Sequence, residues 1–197
     1  MSLPQPDPAL LRRAQRGNEA AFQSLVEDYR TPVFNYILRL TGDRANAEDL
    51  TQDVFLRVFQ ALPRFSSRST FTTWLFQVTK NRVLDEFRAR ERRPHAVVNL
   101  DDMPTLAVVD RPIEESETID GLWRAVRDLN PDLKMALLLR DVVGLPYSEI
   151  ADTLEITLST VKWRIFTARH EVQAALAHEG LVVGVEAAEA ASLILEP

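Results

Sequence analysis

Apolar residues recur at three- and four-residue spacing through most of this chain, and this periodicity limits the possible folds more than any other feature. The clearest stretch spans residues 22–40 and contains Phe22, Leu25, Val26, Tyr29, Val33, Ile37 and Leu40. Such spacing places apolar side chains on one face of an α-helix. Comparable stretches cover residues 45–62, 74–93, 119–129 and 131–144, and none alternates as a β-strand does. The sequence therefore predicts an all-α protein, with a kink or a division of the first helix at Pro32.

Proline positions and charge divide the predicted helices into two groups. Residues 64–93 contain eight basic and three acidic residues, whereas residues 94–120 contain one basic and seven acidic residues. The second stretch includes Pro94, Pro104 and Pro112 and has no helical period, which is typical of an extended linker. We predict two small helical domains at 1–93 and 118–176, joined by an acidic flexible linker at 94–117. The pattern assigns no role to the tail at 177–197.

Composition excludes several classes of protein. The chain has 197 residues and no cysteine, which excludes disulfides, thiolate metal sites and cysteine nucleophiles. Its first residues lack the basic and apolar regions of a secretion signal, and no apolar run approaches the roughly 18 residues that cross a bilayer. We therefore expect a cytoplasmic protein without membrane insertion. The net charge of −6 disfavours a protein that holds DNA alone, mainly by charge attraction.

Residues 145–165 have the pattern of a helix-turn-helix. Ser148 and Thr157 are predicted to cap its two helices. Its small core would consist of Ile150, Leu154, Ile156, Val161 and Ile165. Near the N-terminus of the second helix, the end that enters the major groove in DNA readers, lie Ser159, Thr160, Lys162, Trp163 and Arg164. The alternative is a plain helical hairpin whose lysine and arginine side chains are solvated.

The segment 65–93 interleaves aromatic residues with basic ones. Its aromatic residues are Phe65, Phe71, Trp74, Phe76 and Phe87. Proteins hold single-stranded DNA in cationic grooves that also offer flat surfaces to unstacked bases. This segment is therefore a candidate site for melted DNA. The alternative is that Trp74, Phe76 and Phe87 belong to the core and that the arginines form a solvated face.

A polar face marks the helix predicted at 45–62. Asp49, Gln52 and Asp53 have the i, i+3, i+4 spacing of neighbours on one helix face. Beside them runs a second apolar stripe formed by Phe55, Phe59 and Leu62. An acidic face next to exposed phenylalanines suits a basic protein partner. The alternative is an ordinary solvated helix with acids near its N-terminus.

The sequence contains no recognisable catalytic arrangement. Its three histidines are dispersed over the linker, a helix end and the tail, at His95, His170 and His178. No Ser/His/Asp set, phosphate-binding loop or paired metal ligands occur at the required spacings. We therefore expect no catalytic residues, no metal, no cofactor and no small-molecule substrate.

Three motifs carry a resemblance to a known family. They are Ala-Glu-Asp-Leu-Thr-Gln-Asp-Val-Phe at 47–55, Thr-Trp-Leu-Phe-Gln-Val-Thr-Lys-Asn-Arg-Val-Leu-Asp at 73–85, and Tyr-Ser-Glu-Ile-Ala at 147–151 with Ser-Thr-Val-Lys-Trp-Arg at 159–164. With these motifs in this order, residues 8–176 resemble the extracytoplasmic-function group of sigma factors of bacterial RNA polymerase. The resemblance implies a non-enzymatic subunit with two helical domains, sigma region 2 and the helix-turn-helix of sigma region 4.

The resemblance also implies roles for individual residues. It assigns the binding of core polymerase to Asp49, Gln52, Asp53, Phe55, Leu56 and Phe59. It assigns the melted −10 promoter element to Phe65, Arg68, Ser69, Thr70, Phe71, Trp74, Lys80, Asn81, Arg82 and Arg88. It assigns the duplex −35 element to Ser159, Thr160, Lys162, Trp163, Arg164, Thr167 and Arg169. Positions 159, 163 and 167 depart from the family's usual glycine, small and basic residues, which leaves the −35 sequence open.

We therefore expect an alternative sigma factor that binds core RNA polymerase, recognises both promoter elements and promotes DNA melting. The resemblance and the spare apolar stripe further predict an anti-sigma factor that holds the chain inactive. Two other functions stay open at this point. A one-component regulator would bind duplex DNA tightly without polymerase, and a helical enzyme would need a convergent set of acids, bases or metal ligands.

Overall fold

The computed structural model describes residues 3–66, 68–92 and 113–181, which form eight α-helices and one 3₁₀ turn. In chain order these are α1 (Pro8–Gln15), α2 (Glu19–Thr41), α3 (Arg44–Ala61), the turn (Leu62–Arg64), α4 (Phe71–Arg92), α5 (Ile113–Asp128), α6 (Pro131–Asp141), α7 (Tyr147–Leu154) and α8 (Leu158–His178). No strand occurs in these ranges, which confirms the all-α class. Within the same ranges, no helix is both long and apolar enough to cross a membrane.

The first domain packs α1 to α4 around one core. The central stripe belongs to α2 and is buried to 2% exposure or less at Leu25, Tyr29, Val33, Tyr36 and Ile37. From α4, the fully buried Phe76 meets Tyr36 edge to face, with ring centroids 5.6 Å apart. Each such side chain stabilises the fold by about 1.5–3 kcal/mol through removal of apolar area from water. The predicted periodicity of the first helix therefore describes the core correctly.

Side-chain caps fix where the helices of the first domain begin. Asn18, Asp43 and Thr70 each accept a hydrogen bond from the backbone N–H three residues later, at 2.8, 3.1 and 3.2 Å. Each bond satisfies an amide that the first helical turn leaves without a partner. Gly42 ends α2 with φ 69°, a left-handed conformation that glycine adopts without steric penalty. Pro32 lies inside a continuous α2, so it does not divide the helix.

In the second domain, α8 packs against α5, α6 and α7, and α7 also packs on α6. Residues 133–139 of α6 are all buried, including Lys134. The Lys134 ammonium donates to the carbonyl of Arg127, and burial lowers the pKa of Lys134. As predicted, α6 begins with Asn130 as cap and Pro131 in the first turn. α6 is covered by α7 and α8 of its own domain and by α2 of the first domain.

The predicted helix-turn-helix consists of α7 and α8. Between the two helices the chain passes through Glu155 with φ 59°, and Thr157 then caps α8 by accepting from the amide of Thr160 at 3.2 Å. The small core is confirmed, since exposure is 1% or less at Ile150, Val161 and Ile165. The predicted Ser148 cap is wrong, because α7 begins at Tyr147 without a side-chain cap and Ser148 lies inside its first turn.

Several helix boundaries differ from the pattern in the sequence. The prediction missed α1, which Asp7 caps and which has Pro8 in its first turn. α5 begins at Ile113, so the last residues of the predicted linker are helical. α8 continues to His178, two residues beyond the predicted end of the second domain at 176. The rest of the predicted linker, through residue 112, and the predicted tail from residue 182 lie outside the described residues.

The two domains contact each other. α7 packs on α4, and α6 packs on α2. The guanidinium of Arg39, on α2, lies over the ring of Trp123, on α5, with its Cζ 3.4 Å from the ring centroid. Burial lowers the pKa of Arg39. One side of α4 therefore faces the second domain rather than solvent.

Candidate protein and DNA interfaces

A groove of about 550 Å³ lies on the first domain between α2 and α3. Two large apolar side chains at this groove stay exposed, Leu56 at 60% and Phe59 at 45%. Phe59 also makes an edge-to-face contact with Phe22, with ring centroids 5.0 Å apart. Exposed apolar side chains beside a concave surface are typical of a binding site. We call this feature the α2–α3 groove.

The α2–α3 groove gathers most of the residues assigned to polymerase binding. Gln52 and Phe55 line it together with Leu56 and Phe59. Phe55 is only 8% exposed, so little of its ring is accessible. Asp49 is exposed on the same helix, one turn before Gln52. Asp53 differs, because its carboxylate hydrogen-bonds to Arg82 of α4.

The prediction missed the α2 wall of the groove. This wall contains Phe22, Val26, Arg30, Thr31 and Phe34. Their helical spacing assigns Phe22 and Val26 to the core, yet the structure leaves both of them partly exposed at the groove. Phe34 could have predicted this wall from the sequence, because it is an aromatic residue outside the core stripe of α2. The Arg44 guanidinium lies over its ring at 5.6 Å.

Three aromatic residues assigned to melted DNA form a cluster at the start of α4. The ring centroids of Phe65, Phe71 and Trp74 lie 4.9, 5.9 and 6.1 Å apart. Phe71 is 3% exposed and belongs to the core, whereas Phe65 and Trp74 are half-buried. Gln15 of α1 donates to the carbonyl of Phe65 at 3.0 Å and holds the preceding turn. Only Phe65 and Trp74 therefore offer ring surface to a ligand.

The polar residues assigned to melted DNA differ in their availability. Exposed side chains belong to Arg68, Asn81 and Arg88. Arg82 is mostly buried and hydrogen-bonds to Asp53 and Glu86. Burial acts to lower the pKa of Arg82, but its bonds to the two acids outweigh burial and raise it. Arg82 thus links α3 to α4 in this structure.

The other polar residues assigned to melted DNA lie at or near the contact with the second domain. Ser69 is half-buried. The hydroxyl of Thr70 donates to Glu149 of α7 at 3.0 Å. Lys80 is 7% exposed, and its ammonium lies 3.0 Å from a carboxylate oxygen of Glu155. The second domain therefore engages both Thr70 and Lys80.

One face of α8 carries the exposed residues of the helix-turn-helix. Ser159, Lys162 and Trp163 are exposed there, Trp163 at 60%. Phe166 is 71% exposed and was not predicted as a site residue. Phe166 follows Trp163 by three residues and Lys162 by four, so the three side chains share one face of α8. This spacing could have predicted Phe166 from the sequence. This face combines one cation with two aromatic rings.

The other residues assigned to the −35 element lie closer to the body of the domain. Arg164 pairs with Asp132 at 2.5 Å and Arg169 with Asp141 at 3.0 Å, which joins α8 to α6 at two points. Both arginine side chains are mostly buried, with 16% and 14% exposure. Thr160 and Thr167 are half-buried. Arg164 and Arg169 therefore orient α8, whereas Lys162 and Trp163 project from it.

Asp141 is a buried carboxyl at the end of α6, paired with Arg169 of α8. Its side chain is 5% exposed, and burial raises its pKa to about 6 although Arg169 and Arg140 act in the opposite direction. A carboxylate in a site of low polarity loses hydration that one arginine replaces only in part. The Asp141–Arg169 pair is therefore sensitive to pH in the weakly acidic range.

The described residues include no candidate metal site. Within the ranges that the structure describes, no group of three or more His, Asp or Glu side chains could hold a metal ion. His170 and His178 are both exposed on α8, and His95 lies outside the described residues. The absence of catalytic residues stays a prediction.

Two family models match this chain at the two domains. Sigma-70 region 2 matches residues 25–93, and Sigma-70, region 4 matches residues 119–172. The first match contains α3, α4 and most of α2, and with them the aromatic cluster and every lining residue of the α2–α3 groove except Phe22. The second match contains the helix-turn-helix. Together the two matches cover more than half of the chain.

Similar proteins extend the match to nearly the whole chain. The RNA polymerase sigma-H factor of Pseudomonas aeruginosa is 32% identical over 186 residues, which cover 86% of this chain and 93% of that protein. The ECF RNA polymerase sigma-E factor of Escherichia coli (strain K12) is 30% identical over 176 residues, which cover 84% and 92%.

Two solved structures share the fold. CnrH, in complex with the cytosolic domain of CnrY, gives a TM-score of 0.67 at 22% identity, covering 86% of this chain and 96% of that one. The sigma factor RpoE of Bartonella quintana, in complex with the anti-sigma factor NepR, gives 0.62 at 20% identity, covering 79% and 96%. Both domain matches and the two sequence relatives lead to one assignment. The chain belongs to the extracytoplasmic-function group of sigma-70 factors.

Proposed function

We propose that this chain binds core RNA polymerase through the α2–α3 groove and directs it to promoters through α4 and α8. One observation carries the proposal: a single chain presents an exposed apolar groove beside acidic side chains and, on its other domain, an exposed cationic and aromatic helix face. The groove, the exposed side of α4 and the exposed face of α8 belong to different parts of the chain. One chain can therefore bind a protein and two DNA segments at the same time.

The α2–α3 groove suits a basic protein partner. Leu56 and Phe59 would lose their exposed apolar area on binding, which is the main source of affinity at protein interfaces. Asp49 and Gln52 beside them supply the charge and hydrogen-bonding groups that orient the partner. Asp53 acts through Arg82, which holds α3 against α4.

The exposed side of α4 suits the melted −10 element. Phe65 and Trp74 offer ring surface to unstacked bases, and Phe71 supports them from the core. Arg68 and Arg88 can contact phosphates, and Asn81 can hydrogen-bond to a base edge. Groups that hold unstacked bases favour the open duplex, so this surface promotes melting.

The exposed face of α8 suits the major groove at the −35 element. Thr157 caps this helix, so its free amides and positive dipole point toward phosphates. Ser159, Lys162 and Trp163 project near that end and can reach base edges. Arg164 and Arg169 hold α8 on α6 and thereby set the angle at which it enters the groove.

We also infer a protein inhibitor of this chain. The structurally similar CnrH was solved with the cytosolic domain of CnrY, and the sigma factor RpoE was solved with the anti-sigma factor NepR. A partner that covered Leu56 and Phe59 would exclude polymerase from the α2–α3 groove. Affinity purification of the chain from its native cells should recover such an inhibitor, and recovery of polymerase alone would contradict the inference.

Co-elution with purified bacterial core polymerase tests the proposed function. A chain carrying Leu56→Ser and Phe59→Ser should lose co-elution while it keeps its helical circular-dichroism spectrum. Trp163→Ser is the matched control, because Trp163 and Leu56 are both 60% exposed. This control should co-elute like the wild type.

Run-off transcription completes the test. Core polymerase with the wild-type chain should initiate at promoters that the chain activates in cells, and the Leu56→Ser/Phe59→Ser chain should not initiate. Trp163→Ser should initiate less often without loss of polymerase binding. A wild-type chain that adds no initiation at any of these promoters would overturn the proposal.

A further inference from the structure

Two large aromatic side chains project into solvent from α8. Trp163 is 60% exposed and Phe166 is 71% exposed, whereas Val161 and Ile165, on the side of the helix that faces the core, are buried to 1% or less. Neighbouring exposed apolar side chains of this size mark a contact with another molecule. The proposed function uses Trp163 and leaves Phe166 without a role.

The charge around these two rings suits an anionic partner. Residues 158–170 include no acidic residue, and their basic residues are Lys162, Arg164 and Arg169. Arg164 and Arg169 are paired with acids of α6, whereas the Lys162 side chain is exposed on the same face as the rings. A helix face with a cation and no acid can approach the phosphates that border a DNA groove without charge repulsion.

The hydroxyl groups at the start of α8 are partly used by the helix cap. Oγ1 of Thr157 lies 2.9 Å from the Ser159 hydroxyl and 2.7 Å from the Thr160 hydroxyl, and it also accepts from the amide of Thr160. Thr157 has one hydroxyl proton, so at least one of its two neighbours donates to it. This helix end therefore has fewer hydrogen-bonding groups for base edges than its sequence indicates.

The major groove offers one apolar group to such rings. Every base pair presents hydrogen-bond donors and acceptors there, and thymine adds a methyl group that phenylalanine and other apolar side chains contact. Trp163 and Phe166 are separated by about 4.5 Å along the axis of α8, and successive base pairs by about 3.4 Å. The two rings can therefore contact methyl groups on neighbouring base pairs.

We propose that Trp163 and Phe166 contact thymine methyl groups in the −35 duplex and are specificity-determining residues of this chain. The inference rests on the proposed function and deepens it, because it names the chemical group that α8 selects. Phe166 extends the recognition surface along the groove beyond Trp163. A duplex without thymine at the contacted base pairs places polar base edges against the rings, where they lose water and gain no hydrogen bond, so it binds less tightly.

Removal of the thymine methyl groups tests the contact. The probe is a fluorescein-labelled promoter that the chain activates in cells, synthesised with either thymine or deoxyuridine throughout its −35 region and with thymine elsewhere. Deoxyuridine pairs with adenine as thymine does and lacks only the methyl group. In titrations with core polymerase and the full-length chain, the thymine duplex should bind about fourfold more tightly for each contacted methyl group, the factor that corresponds to about 0.8 kcal/mol.

Variants of α8 separate the methyl contact from other effects of deoxyuridine. Trp163→Gln with Phe166→Gln should reduce the preference for thymine to less than about twofold, whereas Phe166→Leu keeps an apolar side chain and should keep the preference. Lys162→Ala is the matched control on the same face. Because Lys162 acts on phosphates, its loss should weaken binding of both duplexes by the same factor. A preference for thymine that persisted in the double variant would overturn the proposal.

The same titrations distinguish failure of this inference from failure of the proposed function. If the polymerase-bound chain bound neither duplex, the proposed function would be wrong and the inference with it. If it bound both duplexes equally, or if its −35 region contained no thymine, the proposed function would stand and the methyl contact would be excluded. A loss of affinity with deoxyuridine that disappears in the Trp163→Gln/Phe166→Gln chain would support the inference.

Discussion

The two helices proposed to contact DNA, α4 and α8, differ in whether their candidate DNA-binding side chains are exposed. On α8, Lys162 and Trp163 project into solvent, and the arginines of the same helix are bonded to α6. On α4, two of the cationic residues are already engaged, Arg82 by Asp53 and Lys80 by Glu155. α8 is therefore available in the free chain, whereas part of α4 becomes available only after a rearrangement.

This difference suits a protein that should act on promoters only with polymerase. A net charge of −6 gives the free chain little attraction for DNA, and the engagement of Lys80 by Glu155 and of Arg82 by Asp53 reduces it further. A chain that first bound single-stranded DNA at random would be lost to nonspecific sites.

The largest effect is expected from the core beneath α8. Ile165 is 1% exposed, so Ile165→Ala should lower the free energy of unfolding by about 2–5 kcal/mol through lost burial and a residual cavity. Urea unfolding followed by circular dichroism measures the loss. Leu158→Ala on the same helix, at 45% exposure, should cost less than about 1 kcal/mol. Equal losses would contradict the assigned packing of α8.

A pH effect is expected at the pair that holds α8 on α6. The native pKa of Asp141 is raised to about 6, so between pH 4 and 6 the native state binds more protons than the unfolded state. Stability must then fall as pH rises through this window, by up to about 3 kcal/mol. Urea unfolding should show the wild type losing stability from pH 4 to pH 7 relative to Asp141→Asn. A pH-independent difference would contradict the burial of this carboxyl.

A smaller effect is expected from the exposed cation of α8. Lys162→Ala should weaken binding of a −35 duplex to the polymerase-bound chain by about 1–2 kcal/mol and lower the salt dependence by about one ion. Fluorescence titrations at several salt concentrations measure both quantities. Arg12→Ala, on the exposed side of α1, is the control and should leave both unchanged. An unaltered salt dependence in Lys162→Ala would remove this residue from the DNA contact.

The smallest effect concerns the ion pair that engages α4. Asp53 is 39% exposed and solvent screens it, so a double-mutant cycle of Arg82→Gln and Asp53→Asn should give a coupling of about 1 kcal/mol. The more exposed pair of Arg57 and Asp85 provides the comparison and should couple by less than about 0.5 kcal/mol. Equal couplings would mean that Arg82 is not held more firmly than a surface arginine.

The sequence predicts the elements whose signals are local. The spacing of apolar residues in α2 locates the core, and Asn130 and Thr157 locate the beginnings of α6 and α8, because a cap and a periodicity each depend on a few neighbouring residues. Ser148 shows the limit, since the same signal predicts a cap two residues too late. Pro32 is a second example. A proline predicts a kink or a break, but the buried apolar residues on both sides of Pro32 keep α2 continuous.

The candidate sites depend more strongly on contacts between distant residues. Of the predicted second apolar stripe, Phe59 is exposed, whereas Phe55 and Leu62 are buried. The α2 wall opposite Phe59 becomes visible only when two helices pack. Arg82 and Asp53, which the resemblance assigns to different ligands, bond to each other in this structure although 29 residues separate them. The spacing of residues in the sequence does not predict the hydrogen bond between Thr72 and Glu149, because 77 residues separate them in the chain.

Energy transfer between the 3₁₀ turn of the first domain and α7 of the second tests whether the two domains separate. The chain contains no cysteine, so Arg64→Cys and Ser148→Cys, both at exposed positions, accept one dye each. The account predicts high transfer in the free chain and low transfer in a complex with core polymerase and promoter DNA that yields run-off transcript. High transfer that persisted in the transcribing complex would contradict the claim that α4 and α8 separate to bind one promoter at two places.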